Sequence, residues 1–563
     1  MTSVVERIAT TIAPHISEAF ALMGNGNAYL LDAISRLTDV HLTTVRHEVA
    51  TVASADAYTR ITRQLALASV TYGAGFTNTL TALADARMQR TPMLVVAGAP
   101  RTTGRKPWDV DQTALAAALG VPTIEVTAEA PGAATLAAMR LAVADRTPVV
   151  LALPYDLPTA STDEPEVWAP TLAVERLQAD AQAVERVAER LRSARRPLIL
   201  AGRGALQARA ELRDLADELG ALSVASAPTR GFFEGRALPL DLGVAGGFSS
   251  ETTLAHTRSA DVVLVVGASL NQFTMAFGNL LGAEAHVVQI DVLDEATHAR
   301  VDEYVRADAV DAVQALLGAV SGRSSSVAGD RWAGINRDEI AGAHFDRPLG
   351  AEFADDGRLD PRGLATTLNG MLPADRHFAS DGGHFIGWAS THFSVPRPDS
   401  VTMVGTAFQS IGLGFPSAPG AARARPESLL VVPTGDGGGL MGIADLDSLV
   451  RAARSAVVVV YNDAAYNAEV QQYGRQGLDQ APMLIDEVDF SQIAKGVGAA
   501  SSIIRSWADL APFEDWLRAG AHGTFLLDCR ISREIVAPYQ VEILDEVFGL
   551  DVEAMGLREA IRA

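Results

Sequence analysis

The sequence predicts an α/β protein made of three doubly wound parallel-sheet domains. Short runs that are apolar at every position recur along the chain, as strands buried on both faces require. Alanine- and leucine-rich stretches with helical periodicity separate them. The 563 residues are too many for one core and suit about three domains.

In the first piece, residues 1–160, the apolar runs are 66–72, 93–97 and 148–153. Arg46-His47-Glu48 precedes a helix-like stretch at 49–57, and the first run leads into Tyr72-Gly73-Ala74-Gly75-Phe76-Thr77-Asn78. The middle piece, 172–320, has runs at 197–201, 261–266 and 286–290. Gly202-Arg203-Gly204 follows the first of these; such a turn could cradle a nucleotide, but it lacks the third glycine of the dinucleotide fingerprint. The third piece, 358–535, has runs at 429–432, 456–460 and 524–527, with a helix-like segment at 441–454. Two polar stretches, 159–170 and 321–358, are expected to be linkers, and 536–563 is a C-terminal tail. The first and third pieces share the order strand, glycine turn, helix, strand, which predicts a common topology without a sequence repeat.

Composition excludes several classes of function. Asp and Glu number 68 against 46 Lys and Arg, a net charge of −22. That argues against nucleic acid or an anionic membrane as a partner, since both need a basic face. Cys529 is the only cysteine, so the chain has no internal disulfide or cysteine metal cluster, and the thiol is expected to be buried in a strand. The first ten residues carry Glu6 and Arg7 and no continuous apolar core, unlike a secretory leader. No apolar stretch is long enough to span a membrane. A cytoplasmic location is expected.

The motif with the most chemistry is Gly435-Asp436-Gly437 after one buried run, followed 27 positions beyond Asp436 by Tyr461-Asn462-Asp463 after the next. This spacing puts two carboxylates at the ends of adjacent strands, where open α/β sheets bind ligands. A glycine turn there exposes N–H groups able to hold a diphosphate. Mg²⁺ fits between them, taking one or two carboxylates plus phosphate and water oxygens. Alone, a Gly-Asp-Gly is usually an ordinary turn; the interval and the second strand give it meaning.

At these residues the chain resembles the thiamine-diphosphate (ThDP) enzymes, whose signature is Gly-Asp-Gly, a similar interval, then Asn-Asn. It departs at Asp463, where a carboxylate replaces the second amide and keeps an oxygen of similar reach. The resemblance implies that Asp436, Asp463 and the Ala465 carbonyl hold Mg²⁺, and that Gly435, Gly437, Gly438, Thr406 and Tyr466 line the cofactor. It covers nearly the whole chain, in the order pyrimidine-binding, central Rossmann-like and diphosphate-binding domain, and is closest to the acetolactate-synthase-like branch.

The same resemblance places Glu48 as the catalytic glutamate. A carboxyl against N1′ of the aminopyrimidine favours the imino tautomer, whose 4′-nitrogen removes the C2 proton of the thiazolium. The plain alternative is an acid favoured by a helix N-terminus. Ile411, in Ala407-Phe408-Gln409-Ser410-Ile411-Gly412, becomes the apolar wedge that bends the cofactor and brings its reacting atoms close. Gln112 falls on the family's active-site glutamine. Asn25 and Asn27 occupy the substrate-facing loop, where amides can hydrogen-bond an oxyanion without titrating, or simply serve a left-handed turn. His384, in Asp381-Gly382-Gly383-His384, is either a diphosphate donor or structural.

The tryptophan of branched-chain acetolactate synthases is replaced by Gln472, and the paired histidines of pyruvate-decarboxylase-type enzymes are missing. The stretch 267–273 lacks the pattern of flavin-containing acetolactate synthases, so FAD is not expected. The implied activity is ThDP- and Mg²⁺-dependent cleavage or formation of a C–C bond next to a carbonyl, through 2-oxo acid decarboxylation with carboligation. The alternatives are a lyase or C–C hydrolase acting on a 2-hydroxy ketone or cyclic diketone, and, from another class, a non-catalytic ThDP-binding regulatory subunit. The family's architecture implies a homodimer or homotetramer with sites between chains.

Overall fold

The computed structural model describes residues 2–321, 331–332, 335–343 and 346–561. Three domains each carry a six-stranded parallel sheet. In the first sheet the spatial order is His41–Thr44, Glu18–Ala21, Leu67–Val70, Met93–Ala99, Pro148–Pro154, Thr123–Glu125. The third runs Val401–Met403, Arg376–Ser380, Leu429–Gly435, Ser455–Asn462, Gly523–Arg530, Ala500–Ile504. Numbered along the chain, both have the order 2-1-3-4-6-5, so the shared topology expected of the first and third pieces is present. The middle sheet runs Asp241–Val244, Leu222–Ala225, Pro197–Ala201, Val262–Val266, His286–Asp291, Glu303–Arg306, the order 3-2-1-4-5-6 of dinucleotide-binding folds.

The nine apolar runs all form strands, and they occupy the third, fourth and fifth places of each sheet. Those places are covered on both faces, which is why every residue of Met93–Ala99 and Pro197–Ala201 is buried. Cys529 lies buried in one of them, as expected.

Three expectations need correction. The helix-like segment 441–454 is two helices, Asp436–Met441 and Asp445–Ala452, so the first starts directly at the carboxylate. The second linker is more than a connector: its described part holds the helix Arg337–Gly342, and Trp332, Ile340 and Ala343 are buried against the middle sheet. The 322–326 glycine-serine stretch lies outside the described residues. The C-terminal tail also folds, with helices Pro538–Glu546 and Leu557–Ala560 and a small core around Val541 and Leu544.

The first and third domains meet through the helices Glu48–Thr62 and Gly414–Ala424. Gly420 makes this approach possible, because a Cβ there would lie 1.9 Å from the Ser54 carbonyl oxygen. The Ser54 hydroxyl donates to Pro416 O across the joint (2.7 Å). No described helix is long and apolar enough to cross a membrane.

Candidate active site

Leu429–Gly435 pairs in parallel with Ser455–Asn462, Gly435 opposite Tyr461. Asp436 and Asp463 therefore emerge side by side at the C-terminal sheet edge. Asp436 Oδ1 accepts the Gly437 N–H (2.9 Å), while its Oδ2 is buried with no partner. Burial raises the Asp436 pKa to about 6, against the pull of the Gly437, Ala464 and Ala465 amides. Asp463 is pushed well above the ordinary carboxylate range, first by burial and then by the charge of Asp436.

The chain turns sharply here: Ala464 sits at φ 57°, a left-handed conformation that costs a non-glycine residue energy and clusters at functional sites. Tyr466 N–H donates to Met483 O and Ile485 N–H to Ala464 O, leaving the Ala465 carbonyl out of both bonds. Asn462 points away, its amide donating to Asp528 Oδ1 (2.9 Å) and Val488 O (3.1 Å). The residues fit a hard divalent cation: two adjacent buried carboxylates, one with an orphaned oxygen. Among the described residues no third His, Cys, Asp or Glu completes a cluster, so the remaining ligands must be carbonyl, phosphate or water oxygens, as Mg²⁺ prefers.

The glycines beside Asp436 are required by their neighbours. A Cβ on Gly437 would lie 2.6 Å from the Tyr466 ring, one on Gly438 2.6 Å from Asp381 Oδ2, and one on Gly435 3.1 Å from the Phe385 ring. Asp381 is the residue that sequence reasoning missed. It is fully buried; Oδ1 accepts from Gly382 N (2.8 Å) and Gly412 N (2.9 Å), and Oδ2 from the Thr434 hydroxyl (3.1 Å). Its position before a double glycine was the available signal.

Ile411 is half-buried on the loop just ahead of Gly412, with its Cγ2 3.5 Å from where a Gly382 Cβ would sit. Thr406, on the same loop, donates its hydroxyl to Met403 O (3.2 Å). His384 is held elsewhere: Nε2 accepts the Ala537 N–H (3.0 Å) and Nδ1 faces the Asn467 amide (3.4 Å). Burial lowers its pKa to about 3. The ring is thereby tied to the C-terminal segment at Ala537.

On the first domain, Glu48 opens the helix Glu48–Thr62 and accepts from Asn78 Nδ2 (3.0 Å). A Cβ on Gly75 would lie 3.6 Å from its other oxygen. Just ahead of it, Arg46 N–H donates to Asp445 Oδ1 of the same chain (2.8 Å). Gln112 is buried and spans two turns, donating to Gly98 O and accepting from Gly73 N (both 2.8 Å). Asn25 stays at the surface and donates to the Tyr72 hydroxyl (2.9 Å). Asn27 is buried in its own turn, accepting from Gly24 N (2.8 Å) and donating to Leu22 O and Ser69 Oγ. Gly26 and Gly98 pack backbone to backbone beneath these residues, a Cβ on Gly98 lying 2.9 Å from Gly26 Cα.

Comparison with known proteins gives this arrangement its context. Residues 2–119 match the thiamine pyrophosphate enzyme N-terminal TPP-binding domain, 184–316 its central domain and 381–529 its C-terminal TPP-binding domain. The chain is 27% identical to pyruvate oxidase of Lactiplantibacillus plantarum, over 96% of this chain and 91% of that one. It is 27% identical to human 2-hydroxyacyl-CoA lyase 2 (89% and 84% covered) and 24% to the acetolactate synthase isozyme 1 large subunit of Escherichia coli (85% of each). A Rhodococcus jostii thiamine diphosphate-dependent 4-hydroxybenzoylformate decarboxylase shares the fold, with TM-score 0.77, 21% identity, and 94% of this chain and 99% of that one covered. With all three domains matched in order, this chain belongs to the thiamine pyrophosphate enzymes.

Proposed function

We propose that the protein binds ThDP through Mg²⁺ and uses it to decarboxylate a 2-oxo acid and pass the acyl unit to an acceptor. The observation that carries this reading is the buried Asp436–Asp463 pair with its orphaned oxygen. Asp436, Asp463 and the Ala465 carbonyl would hold the metal, with Gly435, Gly437 and Gly438 flooring the diphosphate and Tyr466 and Thr406 beside it. When bound, ThDP would supply a thiazolium ring able to take up the electron pair left by C–C cleavage. Glu48 would hold a proton at the pyrimidine, and Ile411 would keep the cofactor bent. Asn25 and Gln112 stand at the strand ends where substrate would enter. A retained Glu48 speaks against a purely regulatory ThDP-binding subunit.

No flavin enters this reading. The middle sheet reverses its order between Pro197–Ala201 and Val262–Val266, the place where such sheets take ligands. There Gly202 packs on Gly267, a Cβ on Gly202 lying 2.3 Å from Gly267 O, and Arg203 turns away to the Gln89 carbonyl (2.8 Å). A homodimer or homotetramer in the cytoplasm is part of the proposal. Phe408 and Met441, flanking the cofactor loops, are 42% and 59% exposed in the single chain and would suit a partner's cover.

A second reading, cleavage of a 2-hydroxy ketone or 2-hydroxyacyl thioester, is favoured by the similarity to 2-hydroxyacyl-CoA lyase 2. A screen of 2-oxo acids with aldehydes, and of 2-hydroxy ketones and 2-hydroxyacyl thioesters alone, read by mass spectrometry with ThDP and Mg²⁺ present, separates the two. CO₂ release with a ligated product supports the first; cleavage of hydroxy ketones without it supports the second. Inactivity on both classes would defeat the proposal. A flavin absorption band in the purified protein would overturn the cofactor assignment.

A further inference from the structure

The loop that carries Ile411 is strained. Gly405 has φ 100°, Gln409 φ 56° and Gly412 φ 87°, so a non-glycine residue and two glycines hold left-handed conformations within eight positions. A non-glycine residue such as Gln409 persists in this conformation only where its surroundings impose it. Two buried carboxylates from different domains impose it here. Asp85, on the helix Leu80–Met88 of the first domain, is fully buried, and its Oδ1 accepts the N–H groups of Ala407 (2.9 Å) and Phe408 (3.1 Å). Asp381, at the end of Arg376–Ser380, accepts the N–H of Gly412 at the far end of the segment (2.9 Å).

We propose that Asp85 and Asp381 are positioning residues: together they clamp 407–412 from two domains and so fix Ile411 against the cofactor. This rests on the ThDP reading above for what Ile411 touches.

Both acids are themselves held. Arg60 donates to Asp85 Oδ2 (2.8 Å) and also to Met403 O (2.9 Å), just ahead of the loop. Asp381 binds Gly382 N and the Thr434 hydroxyl, and so joins the loop to the strand end that presents Asp436. It has no slack: a Cβ on Gly414 would lie 2.8 Å from Asp381 Cβ, and one on Gly438 2.6 Å from Oδ2. Both oxygens of each acid are engaged by protein donors, so neither acid is presented as a ligand. An ordinary structural acid would steady its domain as a whole. These two steady one segment, each gripping opposite ends of it through main-chain N–H groups.

The test uses the full-length protein and the substitutions Asp381→Asn, Asp85→Asn and Thr434→Val. An amide in place of either acid keeps the shape but removes the negative charge and one of the two acceptor oxygens, so the main-chain N–H groups that share the carboxylate are held less strongly. Amide hydrogen exchange without cofactor is expected to rise about tenfold or more at Gly412 in Asp381→Asn, and at Ala407 and Phe408 in Asp85→Asn, with the sheets unchanged. The ThDP dissociation constant at fixed Mg²⁺ should rise about tenfold or more in both. Thr434→Val loses one bond to Asp381 and should give a several-fold rise in Gly412 exchange and in the dissociation constant. It decides the matter if the other variants do not fold. Unchanged exchange at these amides, faster exchange spread over both domains, or a loosened loop with unchanged ThDP affinity would each overturn the clamp. If the wild-type protein binds no ThDP, the functional reading fails, while the exchange measurements still decide whether the clamp exists.

Discussion

Asp436 and Asp463 stand at the ends of neighbouring parallel strands, and the charge of Asp436 is the largest influence after burial on the protonation of Asp463. Two buried carboxylates so placed resist ionising together. A divalent cation between them would remove that conflict, which is the ground on which we propose the pair as a metal site.

Asp463→Asn is expected to preserve ThDP binding, because the amide oxygen remains a hard ligand of the same reach. Asp463→Ala should weaken Mg²⁺ and ThDP binding together, by about tenfold or more, on the order of 1.4 kcal/mol. Titration of the cofactor-free protein with ThDP at fixed Mg²⁺, followed by tryptophan fluorescence, measures both. Equal affinity in the alanine variant would move the second ligand elsewhere.

Stability should carry a histidine signature in acid. His377 is fully buried between the Ser428 hydroxyl (3.2 Å) and Ala421 O (3.0 Å), and burial lowers its pKa to about 4. The unfolded chain therefore binds a proton below about pH 6.5 that the folded chain refuses until about pH 4. The stabilisation from neutral His377 is full above pH 6.5 and is lost as pH falls through that window, on the order of 3 kcal/mol in all. His392, also lowered to about 4 by burial, acts in the same direction, whereas Asp381, raised to about 6 by burial, acts against it. Comparing wild type with His377→Gln isolates the one group. The gap between their thermal midpoints should be constant above pH 7 and narrow towards pH 4; a gap independent of pH would contradict the assignment.

If sites form between chains, mixing Glu48→Gln protein with Asp436→Ala protein should restore activity through heterodimers carrying one intact site. Subunit exchange is checked by native mass spectrometry. Exchange without recovered activity would place Glu48 and Asp436 of one site in the same chain, where Arg46 already binds Asp445.

The fold was legible where strands are buried on both faces, because every position in them is apolar. The remaining strands were hidden by polar residues whose partners lie far away in sequence. Glu18 opens one short strand and is answered by Arg423 (2.6 Å). Arg376 and His377 open another; Arg376 reaches the carbonyls of Leu372 and Ser394, and His377 that of Ala421. Asp436 and Asp463 were legible because their spacing follows from one strand–helix–strand unit. Asp85 was not, since an acid that binds main-chain N–H groups of a distant loop leaves no local pattern, and Asp381 showed only the double glycine that follows it. The burial of Asn27 was not legible either, because a turn asparagine looks alike in sequence whether it faces inwards or outwards.

The central claim is that Glu48 and the Asp436–Asp463 pair serve one bound ThDP. Hydrogen–deuterium exchange at C2 of ThDP on the enzyme, quenched in acid and read by NMR, tests it most directly. Wild type with Mg²⁺ should exchange far faster than free ThDP. Glu48→Gln, folded and still binding cofactor, should be slower by about 10²–10⁴-fold, the usual contribution of a positioned acid or base. Exchange at the wild-type rate in Glu48→Gln, or no acceleration by the wild-type protein, would contradict the account.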